Sequence, residues 1–103
     1  MHDGRTVEGM KEFLVELYVS CAERDGVGRR AERAKRASLE LSAAGTPVRF
    51  VRSIFVPTDE TCLFLFEAQS IDAVREAAHR AELPFDHVAE TAVDTSADEA
   101  TTT

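Results

Sequence analysis

Two glutamates, Glu16 and Glu67, stand inside runs of apolar residues, where an ionised carboxylate is unusual. Arg52 and Tyr18 also stand among apolar residues, and they are the candidates to interact with these two glutamates. A carboxylate in an apolar setting pairs with a cation, takes up a proton, or binds a metal ion or a donor group. Arg52 would neutralise one of the two carboxylates. The other residues then form either an interface network of ion pairs or a functional site, and the sequence leaves both interpretations open.

Alternating apolar residues predict the strands that position these side chains. Lys11–Val19 alternates, with Phe13, Val15, Leu17 and Val19 on one side and Leu14, Glu16 and Tyr18 on the other. Val48–Val56 and Thr61–Ala68 are apolar on both sides, and the residues between them, 57–60, have turn chemistry. Both segments are therefore predicted to be strands that are covered on two faces.

Helical spacing appears in two further segments. Gly26–Ala44 carries an apolar stripe, with Asp25 as its predicted N-cap and Gly45 as its stop. Its opposite side is basic, which favours a solvated face over a docking surface for an acidic partner. Ser70 is the predicted N-cap of a helix over 71–82, which the residues Leu83-Pro84 end, and residues 85–93 form a last strand.

The predicted order is strand, helix, strand, strand, helix, strand, which is the ferredoxin-like α+β arrangement. Right-handed crossovers place both helices on one face of a four-stranded antiparallel sheet. The first and third strands then lie adjacent in the middle. Cys21 follows one of them and Cys62 begins the other, so the two thiols are expected to be neighbours, as structural residues or as a redox pair.

The uncovered face of this sheet is predicted to be apolar with charged groups set into it. Parity assigns to it Leu14, Glu16, Tyr18, Leu63, Leu65 and Glu67. From the second strand we assign Phe50, Arg52 and Ile54 to the same face. The alternative set, Arg49, Val51, Ser53 and Phe55, would then lie under the helices, with Arg49 at its rim. An apolar face of this size requires a second subunit, a ligand, or both.

The length, net charge and composition of the chain limit the class of protein. A chain of 103 residues suits one domain, predicted over 11–93, with a disordered lead-in at 1–10 and a disordered acidic tail at 94–103. The formal net charge of −7 argues against binding to nucleic acid. No run is long enough to cross a membrane and no signal peptide is apparent, so a cytoplasmic protein is expected.

Several segments, in this order, resemble a family of small bacterial proteins. They are Phe13-Leu14-Val15-Glu16, Val51-Arg52-Ser53, Val56-Pro57, Cys62–Ala68, Ala73–Ala77 and Leu83-Pro84. The family is described as a domain of unknown function, and it includes a nickel-responsive, nickel-binding protein. The resemblance covers residues 11–93. It implies a ferredoxin-like subunit that forms a homodimer through its open sheet face, as in dimeric α+β barrel proteins, and it implies Ni²⁺ as the ligand.

Imidazole and carboxylate groups suit nickel, so the candidate metal ligands are Glu16, Glu67, His79 and His87, with Cys62 a poorer one. His2, beside the free amino group, is a further place for a divalent ion. The helix departs from the family pattern. Family members often carry His or Asn at the position of Ala78, whereas His79 here stands one residue later, about 100° around the helix.

Three functions remain open on the sequence. The first is a nickel-binding homodimer in metal storage, buffering or response. The second is a cofactor-free enzyme of the dimeric α+β barrel type, an isomerase or monooxygenase that acts on a small apolar molecule between the sheets. There Glu16 or Glu67 would be the general base, and Tyr18 or Arg52 would stabilise an oxyanion. The third is a structural module that binds a partner protein.

Overall fold

The computed structural model describes residues 9–20 and 26–91. Its elements are β1 (Lys11–Tyr18), α1 (Val27–Ala43), β2 (Val48–Val56), β3 (Thr61–Ala68), α2 (Ile71–Arg80) and β4 (His87–Glu90). Cys21, the predicted cap Asp25, most of the predicted lead-in and the whole predicted tail lie outside the described residues. The domain limits of 11–93 therefore stay a prediction.

The strands form one sheet in the order β2-β3-β1-β4, in which every neighbouring pair is antiparallel. The predicted ferredoxin-like fold is confirmed, with β1 and β3 in the centre. Both helices pack on the same face, and their small residues Ala34, Ala37, Ala77 and Ala78 are buried there. Alanine at these positions lets the helix backbones approach the sheet closely.

The core lies between the helices and the predicted inward set of β1 and β3. Its largest side chains with almost no exposure are Phe13, Phe64, Phe66, Leu17 and Val15. Cys62 belongs to the same layer and is fully buried. The alternation of β1 and β3 therefore predicted the inward faces of both strands, since each residue points to the side opposite its neighbours.

The helix ends follow local chemistry. The Ser70 hydroxyl accepts a hydrogen bond from the backbone N–H of Ala73 at 3.3 Å, as an N-cap does. Gly45 adopts φ 105° after α1, a conformation that glycine allows at little cost. α2 ends earlier than predicted because Glu82 takes a left-handed φ of 59°, and the N–H of Leu83 bonds back to the carbonyl of Ala78.

A β-bulge at Val51 interrupts the pairing of β2 with β3. Phe50 pairs with Phe66, and the next paired residue, Arg52, faces Leu65. The extra residue reverses the alternation, so that Phe50 and Phe55 face the helices while Arg49, Arg52 and Ile54 face away from them. The predicted placement of Phe50 on the uncovered face was wrong, and so was that of Arg49 under the helices. The placement of Arg52 and Ile54 agrees with the structure.

No helix in the described part of the chain is both long enough and apolar enough to cross a membrane.

Candidate functional site on the open face of the sheet

The open face is the side of the sheet that carries no helix. Its side chains lie in rows across the strands, because directly opposed residues of antiparallel strands share a face. From one end of the sheet to the other, the rows are Val56, Thr61 and Tyr18; Ile54, Leu63, Glu16 and His87; Arg52, Leu65, Leu14 and Ala89; and Arg49, Glu67 and Glu12. Thr91, just after β4, extends the last row, since its N–H donates to the carbonyl of Glu12 at 2.9 Å.

An apolar stripe occupies the middle of the open face. It consists of Leu14, Ile54, Leu63, Leu65 and Ala89. Ile54 is 37% exposed, whereas Leu65, at the centre of the sheet, is only 8% exposed because its neighbours surround it. Charged and polar side chains border the stripe at both ends, so it is a limited patch with a polar rim. This arrangement is typical of an interaction surface.

Glu16 and His87 form a pair across β1 and β4. They are directly opposed in the register, Glu16 is half-buried and His87 is exposed. The adjacent backbone fixes this register, since the N–H of Asp86 donates to the carbonyl of Glu16 at 2.8 Å. Opposed residues have Cβ atoms about 5 Å apart, which is close enough for one ion to touch both side chains. The pair combines a carboxylate and an imidazole beside the apolar stripe.

Glu67 lies in a different row and already has a cation. Its Oε1 is 2.6 Å from Nη1 of Arg49. Glu12, directly opposite Glu67, accepts a hydrogen bond from the Thr91 hydroxyl at 2.8 Å. The sequence did not predict Arg49 and Glu12 at this place. The bulge at Val51 puts Arg49 on the open face, and no alternation pattern within β2 indicates it. Arg52, the predicted partner, forms no ion pair among the described residues.

The predicted carboxylates therefore do not share one pocket. One row lies between Glu16 and Glu67, and the register places Glu67 opposite Glu12, four residues along β1 from Glu16. Four residues of strand span about 13 Å. Tyr18 lies beyond Glu16, and its hydroxyl donates to Oε1 of Glu60 at 2.8 Å.

His79 lies in the helix layer, away from the open face. Its ring contacts that of Phe85 edge to face, with the centroids 5.3 Å apart. Ala78, where the family pattern has His or Asn, is fully buried in the core. Of the four predicted metal ligands, the structure brings together only Glu16 and His87. Within residues 9–20 and 26–91, no three His, Cys, Asp or Glu side chains cluster as a metal site would require.

Cys62 lies on the helix side of the sheet, as expected for a poorer ligand. Burial raises the pKa of its thiol, and the nearby Arg30 guanidinium partly opposes this effect. A thiol that resists ionisation is a weak metal ligand and a weak nucleophile. Its predicted proximity to Cys21 lies outside the described residues.

With this geometry established, the chain can be compared with known proteins. The family model for the nickel responsive protein SCO4226-like matches residues 23–91, two thirds of the chain. The chain belongs to that family. Membership of the SCO4226-like family confirms the resemblance seen in the sequence, and its description as nickel-responsive supports a metal-related role.

A solved structure supports the fold of this SCO4226-like chain. It is the crystal structure of SCO4226 from Streptomyces coelicolor A3(2), with a TM-score of 0.53 and 20% sequence identity. The alignment covers 81% of this chain and 98% of that chain. At this identity the likeness shows a common fold and nothing about the site. No curated protein sequence matches the chain.

Proposed function

We propose that this SCO4226-like protein binds Ni²⁺ as a homodimer in metal storage, buffering or response. The two open faces would meet, and Glu16 and His87 of each subunit would supply the ligands. The observation that carries the proposal is the opposed position of Glu16 and His87 across β1 and β4 on the open face. Family membership supports nickel as the ion.

The apolar stripe supports the homodimer. Its leucines and Ile54 lie on a face that no element of the described chain covers. A second copy presents the same stripe with the same polar border, so the surface is complementary to itself about a twofold axis. An axis at the edge of the stripe, beside Glu16 and His87, would bring the two pairs to one ion. Burial of apolar area contributes about 25 cal/mol per Å², which favours association over solvation of the stripe.

The ligand count also supports a shared site. One copy supplies one imidazole and one carboxylate in the Glu16–His87 pair, which is too few for a stable divalent site. Two copies related by a twofold axis supply two of each. Four nitrogen and oxygen donors suit Ni²⁺, and water would complete its coordination. The proposed site therefore holds one ion for every two chains.

Calorimetric titration with NiCl₂ tests the metal site. All proteins carry His2→Ala, which removes a second imidazole beside the amino terminus. The parent is expected to bind about one ion per two chains, whereas Glu16→Gln and His87→Ala each weaken binding at least about tenfold, by analogy with loss of metal-site groups. His79→Ala is the matched control and should leave the affinity unchanged. Equal binding by the parent, Glu16→Gln and His87→Ala would exclude this site.

Light scattering after size exclusion tests the interface separately. Leu63→Glu places a charge in the apolar stripe of each copy, so the variant is expected to be a folded monomer that has also lost the shared metal site. Arg75→Glu, on the exposed side of α2, is the control that changes charge elsewhere. A monomeric parent protein at micromolar concentration would refute the homodimer.

A further inference from the structure

A cleft of about 220 Å³ lies on the helix side of the sheet, between α1 and the C-terminal end of α2. Its described lining consists of Arg33, Arg36, Ala37, Glu40, Arg80 and Ala81. The residues from α1 recur at three- and four-residue spacing, which places them in one row along the helix. The cleft is smaller than the sites that hold drug-sized ligands, so it suits an ion or a group of few atoms.

The packing of α2 adds a third arginine to the basic side of α1. The sequence alone favours a solvated face there, since Arg33 and Arg36 follow one another along a single helix. Arg80, the last residue of α2, lines the same cleft. Ala37 and Ala81 complete the lining, and both are buried and too small to fill the space. Three guanidinium groups from two helices therefore border one cleft.

Arg33 is held in place before any ligand binds. Its Nε donates to the carbonyl of Ala81 at 2.8 Å, and its Nη2 donates to the carbonyl of Glu82 at 3.4 Å. Both bonds use the same edge of the guanidinium, which leaves Nη1 for another acceptor. A donor that is already ordered loses less conformational entropy when it binds a ligand.

The other two arginines also retain donors for a ligand. Arg36 is exposed and forms no ion pair within residues 9–20 and 26–91. Arg80 lies between two carboxylates, with Nη1 3.6 Å from Glu40 and Nη2 3.9 Å from Glu76. Both distances exceed those of an N–H···O hydrogen bond, so these contacts leave the N–H groups of Arg80 available to a closer acceptor.

The charge and the donor type of the cleft select the ligand. Three arginines and one glutamate give the lining a formal charge of +2, and Glu76 beside Arg80 lowers this excess without removing it. The chain as a whole carries −7, but salt screens charges that lie more than about 8 Å away at physiological ionic strength. Guanidinium forks match phosphate, whose three terminal oxygens can accept from separate arginines, whereas a carboxylate has two oxygens.

We infer that this cleft binds a phosphate group, either as the free ion or at the end of a small molecule. The oxygens of the phosphate accept hydrogen bonds from Arg33, Arg36 and Arg80, and Glu40 at the rim limits the affinity. This site is independent of the metal site, because the cleft lies on the other side of the sheet and shares no residue with the Glu16–His87 pair.

Inorganic phosphate is the probe, and the measurement is the backbone amide chemical shifts of the metal-free protein at constant pH and ionic strength. Phosphate is expected to shift the amides of residues 33–40 and 80–82 with a Kd on the order of 1 mM, as suits a ligand of so few atoms. Acetate should bind more weakly, since it has two oxygens and a single charge. Equal affinity for acetate, or no phosphate-induced shifts in these residues, would overturn the proposal.

Glycerol 3-phosphate distinguishes the two sources of the phosphate group. If it shifts the same amides with a Kd equal to or below that of phosphate, the site accepts the phosphate of a small organic molecule. If phosphate shifts them and glycerol 3-phosphate does not, the site holds the free ion.

Three variants with exposed side chains locate the contacts and should keep the fold. Arg36→Gln is expected to raise the Kd for phosphate about fivefold, the upper range for one exposed charge pair. Glu40→Gln removes the carboxylate from the lining and is expected to lower the Kd about twofold. Lys35→Gln is the matched control, because Lys35 loses the same charge but lines a groove on the β2 side of α1. The proposal fails if Arg36→Gln and Lys35→Gln change the Kd equally, or if Glu40→Gln does not lower it.

Discussion

Phe50 and Arg52 are separated by one residue in β2, yet their side chains lie on opposite faces of the sheet. Phe50 packs against the rings of Phe64 and Phe66, with centroids 5.7 and 5.4 Å away, and Arg52 lies on the open face opposite Leu65. In a regular strand residues two apart share a face. The bulge at Val51 causes the reversal, and it moves Arg49 to the open face, where it binds Glu67.

This reversal predicts unequal effects of two substitutions. Phe50→Ala removes ring contacts with the core and is expected to lower the free energy of unfolding by about 2–3 kcal/mol. Arg52→Ala removes an exposed side chain and should change it by no more than about 0.5 kcal/mol. Urea denaturation followed by circular dichroism measures both values. A larger loss for Arg52→Ala than for Phe50→Ala would contradict the assigned faces.

Arg33 on α1 forms a hydrogen bond to the end of α2, and this contact predicts that its loss lowers the free energy of unfolding. Its Nε donates to the carbonyl of Ala81 at 2.8 Å, at the C-terminal end of α2, where a cation is favoured. Arg33→Ala is expected to cost about 1–2 kcal/mol in the free energy of unfolding, since it leaves a backbone carbonyl without its donor. Arg36→Ala, on an exposed neighbour in the same helix, is the control for lost charge. The same urea titration compares them, and equal costs would argue against the capping role.

Glu82 predicts a stabilising substitution. It adopts φ 59°, a left-handed conformation that costs an L-residue about 1–2 kcal/mol. Glu82→Gly is expected to raise the free energy of unfolding by about 0.5–1 kcal/mol, after the greater chain entropy of unfolded glycine is subtracted. Glu82→Ala removes the same charge and keeps the strain, so thermal denaturation should show a gain for glycine only. A gain of equal size in both variants would assign the effect to the charge.

Cys62 predicts a loss of stability at alkaline pH. Burial raises the pKa of its thiol above the ordinary value of 9.0 in the folded protein. Above pH 9 the unfolded chain therefore releases this proton while the folded chain retains it, and the free energy of unfolding falls by up to about 1.4 kcal/mol per pH unit. This loss continues until the pH reaches the raised folded pKa.

Urea denaturation between pH 7 and 10.5 measures this dependence, with Cys62→Ala as the control. The variant is less stable at pH 7 because it leaves a small cavity, but its stability should fall less steeply above pH 9 than that of the parent. Cys21 is present in both proteins and does not affect the difference. Parallel curves for the two proteins would show that the Cys62 thiol makes no contribution.

Local patterns in the sequence determined the order of elements, most of their bounds and the inward faces of β1 and β3. The N-cap Ser70 and the stop Gly45 were also predictable, because caps depend on residues within one helical turn. The family resemblance was carried by the same short segments. These features share a physical basis, since each depends on side chains that are close together in the chain.

Tertiary structure alone decided which candidate site residues meet. The β-bulge at Val51 arises from pairing between β2 and β3, and no residue type in 48–56 marks it. The opposition of Glu16 and His87 depends on the register of β4 against β1, two segments about 70 residues apart in the chain. The same non-local packing places His79 in the helix layer and forms the ion pair between Glu67 and Arg49. Of the four predicted metal ligands, only Glu16 and His87 therefore lie together.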